Sequence, residues 1–248
     1  MKSTLLITTL FSCLAIGSQA ATVIPITDVF GHNERSNFAG TITDMIIGSG
    51  MNGYGVDGNV GWPSGEGDPT TWSATNDSYG NEWQSQGILD SGTSINGKIG
   101  WAVFDLGTVT SNLENIYLWN VRENNARAVN EYNIYYASSP GLAVPHGPTG
   151  GSSNTDYDFS GSGWTKVNGS TLNMSWRNTD GAAYNDVVSL GGTSARYIAI
   201  EIISNGVGTT GDATRTGLAE VAITQIPEPS VALLSGLGVL MLLRRKKH

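Results

Sequence analysis

Cysteine is all but missing from this chain of 248 residues: Cys13 is the only one. It sits in an N-terminal stretch that reads as a removable leader. No disulfide can therefore brace the mature chain in an oxidising compartment, and bracing must come from packing, hydrogen bonds or a bound ion. Histidine is scarce too. The three are His32, His146 and His248, and none has the spacing of a His-Glu-x-x-His zinc site. A Gly-x-Ser-x-Gly elbow and a cysteine nucleophile are both lacking, which excludes those routes to acyl transfer. A glycosidase pair of carboxylates stays open, because its separation in space leaves no sequence spacing. Positive charge is short as well. Residues 21–225 hold eight Lys or Arg against twenty Asp or Glu, a net of −12, which repels nucleic acid and anionic lipid. Long apolar runs are absent, since none reaches the roughly 20 residues that cross a bilayer as a helix.

Both ends carry signals. Lys2, the apolar run of residues 5–16 and the small residues Ser18-Gln19-Ala20 form a secretory signal peptide over residues 1–20, to be removed by signal peptidase before Ala21 or Thr22. At the other end Pro227-Glu228-Pro229 halts regular structure, residues 231–243 carry no charge, and Arg244, Arg245, Lys246 and Lys247 come next. Thirteen residues make about 20 Å of helix, short for a permanent span, and the basic end would stay cytoplasmic. This tail resembles the PEP-CTERM sorting signal, which implies recognition by an exosortase in a Gram-negative bacterium and export to the surface or matrix. A plain tail anchor is the alternative. Three segments are thus expected: 1–20 leader, 21–225 domain, 226–248 sorting tail.

The middle shows no repeat and no sustained helical period. Runs at 101–107, 114–121, 130–138, 195–203 and 217–224 alternate or stay apolar between Gly, Ser, Asn and Pro, and read as strands. In the fourth, Ile198, Ile200 and Ile202 point one way and Ala199 and Glu201 the other, the pattern of a half-buried strand. The fold expected is an all-β jelly-roll sandwich in one domain. Residues 60–69, 79–98, 141–163 and 204–214 read as long loops.

Residues 53–59, GYGVDGN, contain the Gly-x-Gly-x-x-Gly of a dinucleotide turn. The stretch after Gly58 is NVGWPSGEGDPTTW, which has no helical pattern, so no helix N-terminus is available to meet a phosphate. Asp57 and Asn59 instead offer hard oxygens suited to calcium.

The order Asp57-Gly58-Asn59, Thr70-Thr71-Trp72-Ser73, residues 101–107, Arg127 with residues 132–136, residues 195–198 and residues 217–221 resembles the discoidin family (factor V/VIII type C domains), which is galactose-binding-like. Residues 60–69 are an insertion relative to that pattern. The resemblance implies a jelly roll and a calcium ion held by Tyr54, Asp57, Asn59, Thr70, Ala219 and Glu220, tying an early loop to the last strand.

An acidic, cysteine-free, exported domain suits neutral ligands and divalent cations. Sugars are held by aromatic faces and a few planar polar groups. The loop residues offering these are Trp62, Tyr79, Trp83, Arg122, Asn124, Trp176 and Arg177. Trp72, Trp101 and Trp119 read as core, and Arg127 and Arg196 as partners of buried carbonyls or a carboxylate. The expected function is non-catalytic binding of an extracellular polysaccharide. A surface protein that binds other proteins is the alternative, followed by a glycan-active enzyme. Ice binding lacks the regular Thr-x-Thr array it needs.

Overall fold

The computed structural model describes residues 21–32, 40–48, 51–52, 68–74, 82–85, 99–122, 125–140, 152–153, 157–161, 163–176, 184–206 and 215–226. The expected leader and sorting tail lie outside them. Among the described residues the chain forms strands β1 (Thr22–Ile24), β2 (Asp28–His32), β3 (Met51–Asn52), β4 (Ser73–Ala74), β5 (Trp83–Gln84), β6 (Gly100–Asn120), β7 (Val129–Ala137), β8 (Ser152–Ser153), β9 (Thr165–Lys166), β10 (Leu172–Asn173), β11 (Asp186–Asn205) and β12 (Gly217–Gln225). Short 3-10 turns occupy Ile42–Ile46, Pro69–Thr71 and Asn125–Arg127. Among these residues no helix is long and apolar enough to cross a membrane.

The architecture is an all-β jelly-roll sandwich, and its layers are made by two strands that turn a corner. The expected strands at 101–107 and 114–121 are one strand, β6, bent in the middle. Its neighbour β11 bends at the same height. Gly100 to Asp105 pair with Ile202 to Tyr197, and Asn115 to Leu118 pair with Ser189 to Asp186, with register shifts between Ser189 and Tyr197. At the bend Gly107, Gly191 and Gly192 have φ of 78°, 65° and 74°, and Asn112 has 54°. Such φ values cost glycine nothing and asparagine little, so these residue types let the ladder fold over on itself. Bulged, bent strands of this kind carry a sheet round a sandwich corner.

The continuous sheet runs β1-β12-β6-β11-β7-β10, with β2 on β6, β5 on β12 and β9 on β7. One layer holds β2, the first half of β6, the second half of β11, and β7. The other holds β1, β12, the second half of β6 and the first half of β11. Between them lies the core: Phe104 and Leu106 beside Leu113, Ile116 and Leu118, with Ile198, Ile200 and Ile202 against Val221 and Ile223. β-branched and aromatic residues suit these pleated, buried surfaces.

Each layer is covered on its outer side as well. Phe30, Trp101, Val103, Tyr157, Phe159, Tyr197 and Ala199 pack together on one, and Val23, Trp72, Tyr117, Trp119, Ala219 and Ala222 on the other. This corrects the expectation of a half-buried strand at 195–203. Ala199 and Glu201 are buried along with the isoleucines, because residues 157–164 bring Tyr157, Phe159 and Trp164 down onto that face. Glu201 is accommodated by accepting from Asn133 Nδ2 at 2.8 Å and Tyr135 Oη at 3.0 Å. Trp72, Trp101 and Trp119 are core, as read from the sequence. Arg196 meets Asp105 through Nε and Nη2, both at 2.9 Å, next to the bend.

Phe104→Ala removes a fully buried ring and should cost roughly 3–5 kcal/mol in chemical denaturation. Tyr132 donates to Asp186 Oδ2 at 2.6 Å; burial first, then this carboxylate, pushes its phenol well above the ordinary tyrosine range. An unfolded tyrosine ionises near pH 10 and the folded one resists, so stability should fall as pH climbs above about 10. Tyr132→Phe should flatten that slope in urea titrations at successive pH values.

Candidate functional site

The end of the sandwich opposite the bend gathers the turns after β6 and before β12, and here polar side chains replace the apolar core. Asn120 closes the β6–β7 turn: its Oδ1 accepts from the Val129 amide at 2.7 Å and the Val121 amide at 3.1 Å, and its Nδ2 donates to the Val129 carbonyl at 2.8 Å. Asn205 Nδ2 donates to the Arg215 carbonyl at 2.7 Å. The Thr216 amide donates to Ser85 Oγ at 2.9 Å, and the Ser85 amide to the Thr216 carbonyl at 2.7 Å. Each turn is thus pinned by a side-chain amide or hydroxyl that pairs backbone groups otherwise buried unpaired.

β5 brings in the centre of the cluster. It pairs with the start of β12, Gln84 opposite Gly217 and Trp83 opposite Leu218. A Cβ at position 217 would lie 2.1 Å from the Trp83 carbonyl oxygen, so glycine is what admits the strand. Glu82 and Gln84 are spaced to share one face, and both are fully buried. Gln84 Nε2 donates to Glu82 Oε1 at 2.8 Å, the Arg122 amide donates to Glu82 Oε2 at 3.4 Å, and Arg127 Nη1 donates to Gln84 Oε1 at 3.3 Å. Arg122 is buried and Arg127 half-buried. Trp176 is half-buried, and its indole N–H donates to the Val121 carbonyl at 3.0 Å, which fixes the ring against the turn that carries Arg122.

Of the expected sugar-binding residues, Arg122 and Trp176 are brought together here. Trp62, Tyr79, Asn124 and Arg177 lie outside the described residues. Trp83 is a correction: expected on a loop, it lies in β5, fully buried in the main core, because Gly217 lets that strand dock and the tryptophan face falls inward. Arg127 pairs with a buried side-chain carbonyl, as read from the sequence. Glu82, Gln84, Asn205 and Arg215 were missed. The signal that could have found the first two is Glu82-Trp83-Gln84, a polar–aromatic–polar alternation inside a stretch read as loop.

A second polar feature lies on the outer side of the β12 layer. Glu220 is fully buried. Burial above all, with Asp44 adding to it, holds its carboxyl well above the ordinary glutamate range, and backbone N–H groups of Val221 and Gly48 pull the other way. Its Oε1 accepts from the Val221 amide at 3.4 Å, while Oε2 finds no hydrogen-bond partner among the described residues. The register steps from Leu218 opposite Asn120 to Glu220 opposite Trp119, so Ala219 is the extra residue of a bulge, the kind of place where a backbone group leaves the ladder. Trp119 stacks on Trp72 at 6.1 Å, and Trp72 comes directly after the turn bearing Thr70, whose hydroxyl donates to Asp68 Oδ1 at 2.7 Å. Glu220, Ala219 and the Thr70 turn therefore belong to one side of one layer. Tyr54, Asp57 and Asn59 lie outside the described residues, and among the described residues no group of three or more His, Cys, Asp or Glu side chains could hold a metal. Of the expected calcium ligands that are described, Glu220 alone offers an unpartnered side-chain oxygen that a cation would complement. A buried carboxylate oxygen left without a partner is costly unless a cation or proton meets it.

No family model matches the chain, and no curated protein matches it. Among solved structures it is similar to the family 32 CBM of C. perfringens NanJ in complex with galactose, with 15% identity over 83% of this chain and 100% of that one and a TM-score of 0.44. It is similar to CBM32-3 from a family 31 glycoside hydrolase of Clostridium perfringens at 13% identity, 82% and 94% coverage and TM-score 0.44. A Streptococcus pneumoniae fucose binding module gives 12%, 82%, 96% and 0.42 in the same order. Likeness at this level says nothing about what this chain binds.

Proposed function

We propose that the chain is an exported, non-catalytic carbohydrate-binding protein whose ligand, an extracellular polysaccharide or glycan, docks at the end of the sandwich opposite the bend. The observation that carries this reading is the half-buried indole of Trp176 fixed by its N–H to the Val121 carbonyl, next to the buried Arg122. A sugar needs an aromatic surface for its C–H face and planar donors held in place for its hydroxyls. The indole of Trp176, locked against the turn, would supply the first, and the half-buried guanidinium of Arg127, held by Gln84 Oε1, the second, on a frame that need not be ordered on binding.

On the outer side of the β12 layer, Glu220, the Ala219 carbonyl and Thr70 would hold a calcium ion together with Tyr54, Asp57 and Asn59, bracing a chain that has no disulfide. The ion would supply positive charge to a buried carboxylate and link the early segment to the last strand. The tail at 227–248, with Pro227-Glu228-Pro229, an uncharged run and Arg244-Arg245, supports sorting by an exosortase after signal peptidase has removed the leader.

The chain should be retained by a polysaccharide matrix, and Trp176→Ala should weaken that binding about tenfold, roughly 1.4 kcal/mol, in isothermal titration with the retained glycan. Release of reducing sugar from the same glycan would instead mark an enzyme. At about 1 mM calcium and a dissociation constant of about 0.1 mM the ion would add about 1.4 kcal/mol. That is a melting-temperature rise of roughly 3–6 °C in a domain of this size. Glu220→Gln should abolish the rise, and an unchanged rise in this variant would place the ion elsewhere.

A further inference from the structure

The bend in β6 and β11 is also where the chain leaves the domain. β1 pairs with β12 so that Thr22 lies opposite Gln225, and the Ile226 amide donates to the Asn112 carbonyl at 3.0 Å. Both ends of the folded part therefore emerge at the corner, and the Trp176–Arg122 cluster sits at the far end of the same strands. From Asn112 to Val121 is nine residues of strand, about 30 Å at 3.3 Å each.

The corner differs from the rest of the surface. In a domain of net charge −12, residues 107–112 and 191–194 carry no charge at all. Two carboxylates flank the corner at equal distance along β6: Asp105, held by Arg196 on one side and by the Gly107 amide at 2.7 Å on the other, and the half-buried Glu114. Among the described residues the exposed large hydrophobics are Val109 at 57%, Ile226 at 44% and Val187 at 39%, and the first two belong to this corner. Uncharged backbone turns with isolated apolar side chains tolerate a lipid headgroup surface, whereas the acidic flanks of the domain are repelled by it.

The tether is short. From Ile226 to Val231, where the uncharged run begins, the backbone reaches at most about 18 Å when fully extended. Wherever that run enters a membrane, the corner must lie close to it.

We propose that the corner formed by residues 107–112 and 191–194, with Ile226, is the membrane-facing surface of the anchored protein, and that it directs the Trp176–Arg122 end away from the lipid. The occupant of this surface is a bilayer, and the proposal rests on the reading of the C-terminal segment as membrane-inserting. Residues that lie outside the structure contribute only their sequence: an uncharged run of residues 231–243 and the basic end beyond it.

The mature domain has no cysteine of its own, so single reporters can be placed cleanly. In a full-length Cys13→Ser chain, Thr108→Cys at the corner and Ser175→Cys beside Trp176, both at exposed positions, would each carry an environment-sensitive dye. The chain would be reconstituted into vesicles of phosphatidylethanolamine and phosphatidylglycerol containing a spin-labelled headgroup quencher, and flotation would be read in the same samples. The expected result is co-flotation, with strong quenching at position 108 and none above the lipid-free baseline at 175. Co-flotation with equal quenching, or stronger quenching at 175, would overturn the orientation while leaving the tail reading intact. Failure to float would remove the tail reading and the proposal together.

Discussion

The antiparallel ladder between β6 and β11 is the interaction on which the rest of the molecule depends. It runs through both layers, so the same two strands supply the floor and the roof of the core and fix the angle between them. Each half presents its isoleucines, leucines and phenylalanine inward, and burial of these side chains is the main force holding the layers together. The other long strands, β7 and β12, attach at the sides of this pair. Were the bend at Gly107 and Gly191-Gly192 to straighten, the layers would separate, and no other contact among the described residues joins them over a comparable length.

Polar groups inside such a fold are tolerable only where partners meet them, and the chain handles this differently in three places. Asp105 and Arg196 neutralise each other at the bend. Glu201 is met by Asn133 and Tyr135 beneath the aromatic cover of the β7 layer. Glu82 is met by Gln84 and the Arg122 amide, and through Gln84 orders Arg127. Glu220 stands apart from these, with one oxygen unmet among the described residues, a carboxyl that either a proton or a cation would complement.

The sequence made the strands legible where alternation or apolar runs were long, as at 195–203 and 217–224, and made Trp101 and Trp119 legible as core because they lie in the runs 101–107 and 114–121. It did not reveal that 101–107 and 114–121 are continuous. Gly107 and Ser111-Asn112 read as strand boundaries, and only the paired bend in β11 shows that the ladder carries on through them. Nor did it reveal the outer face of β11 as buried, because the residues that cover it come from 157–164, far away in the chain. Trp83 misled for a related reason: a strand of two residues has too short a pattern to show which way its side chains face. In the candidate site Arg122 and Trp176 were legible from residue type and position, whereas Glu82 and Gln84 become meaningful only once Gly217 has let β5 dock.

The pairing of Thr22 with Gln225 has a mechanical side. A pull on the C-terminal end, resisted by a load gripped at the opposite end of the sandwich, runs along the axis of β12. It strains the hydrogen bonds to β1 and β6 together, in shear, so that many must fail at once. A pull between the two termini would peel β1 from β12 one bond at a time. The same joint is therefore strong in the direction that a tethered, cargo-holding domain would feel and weak in the other.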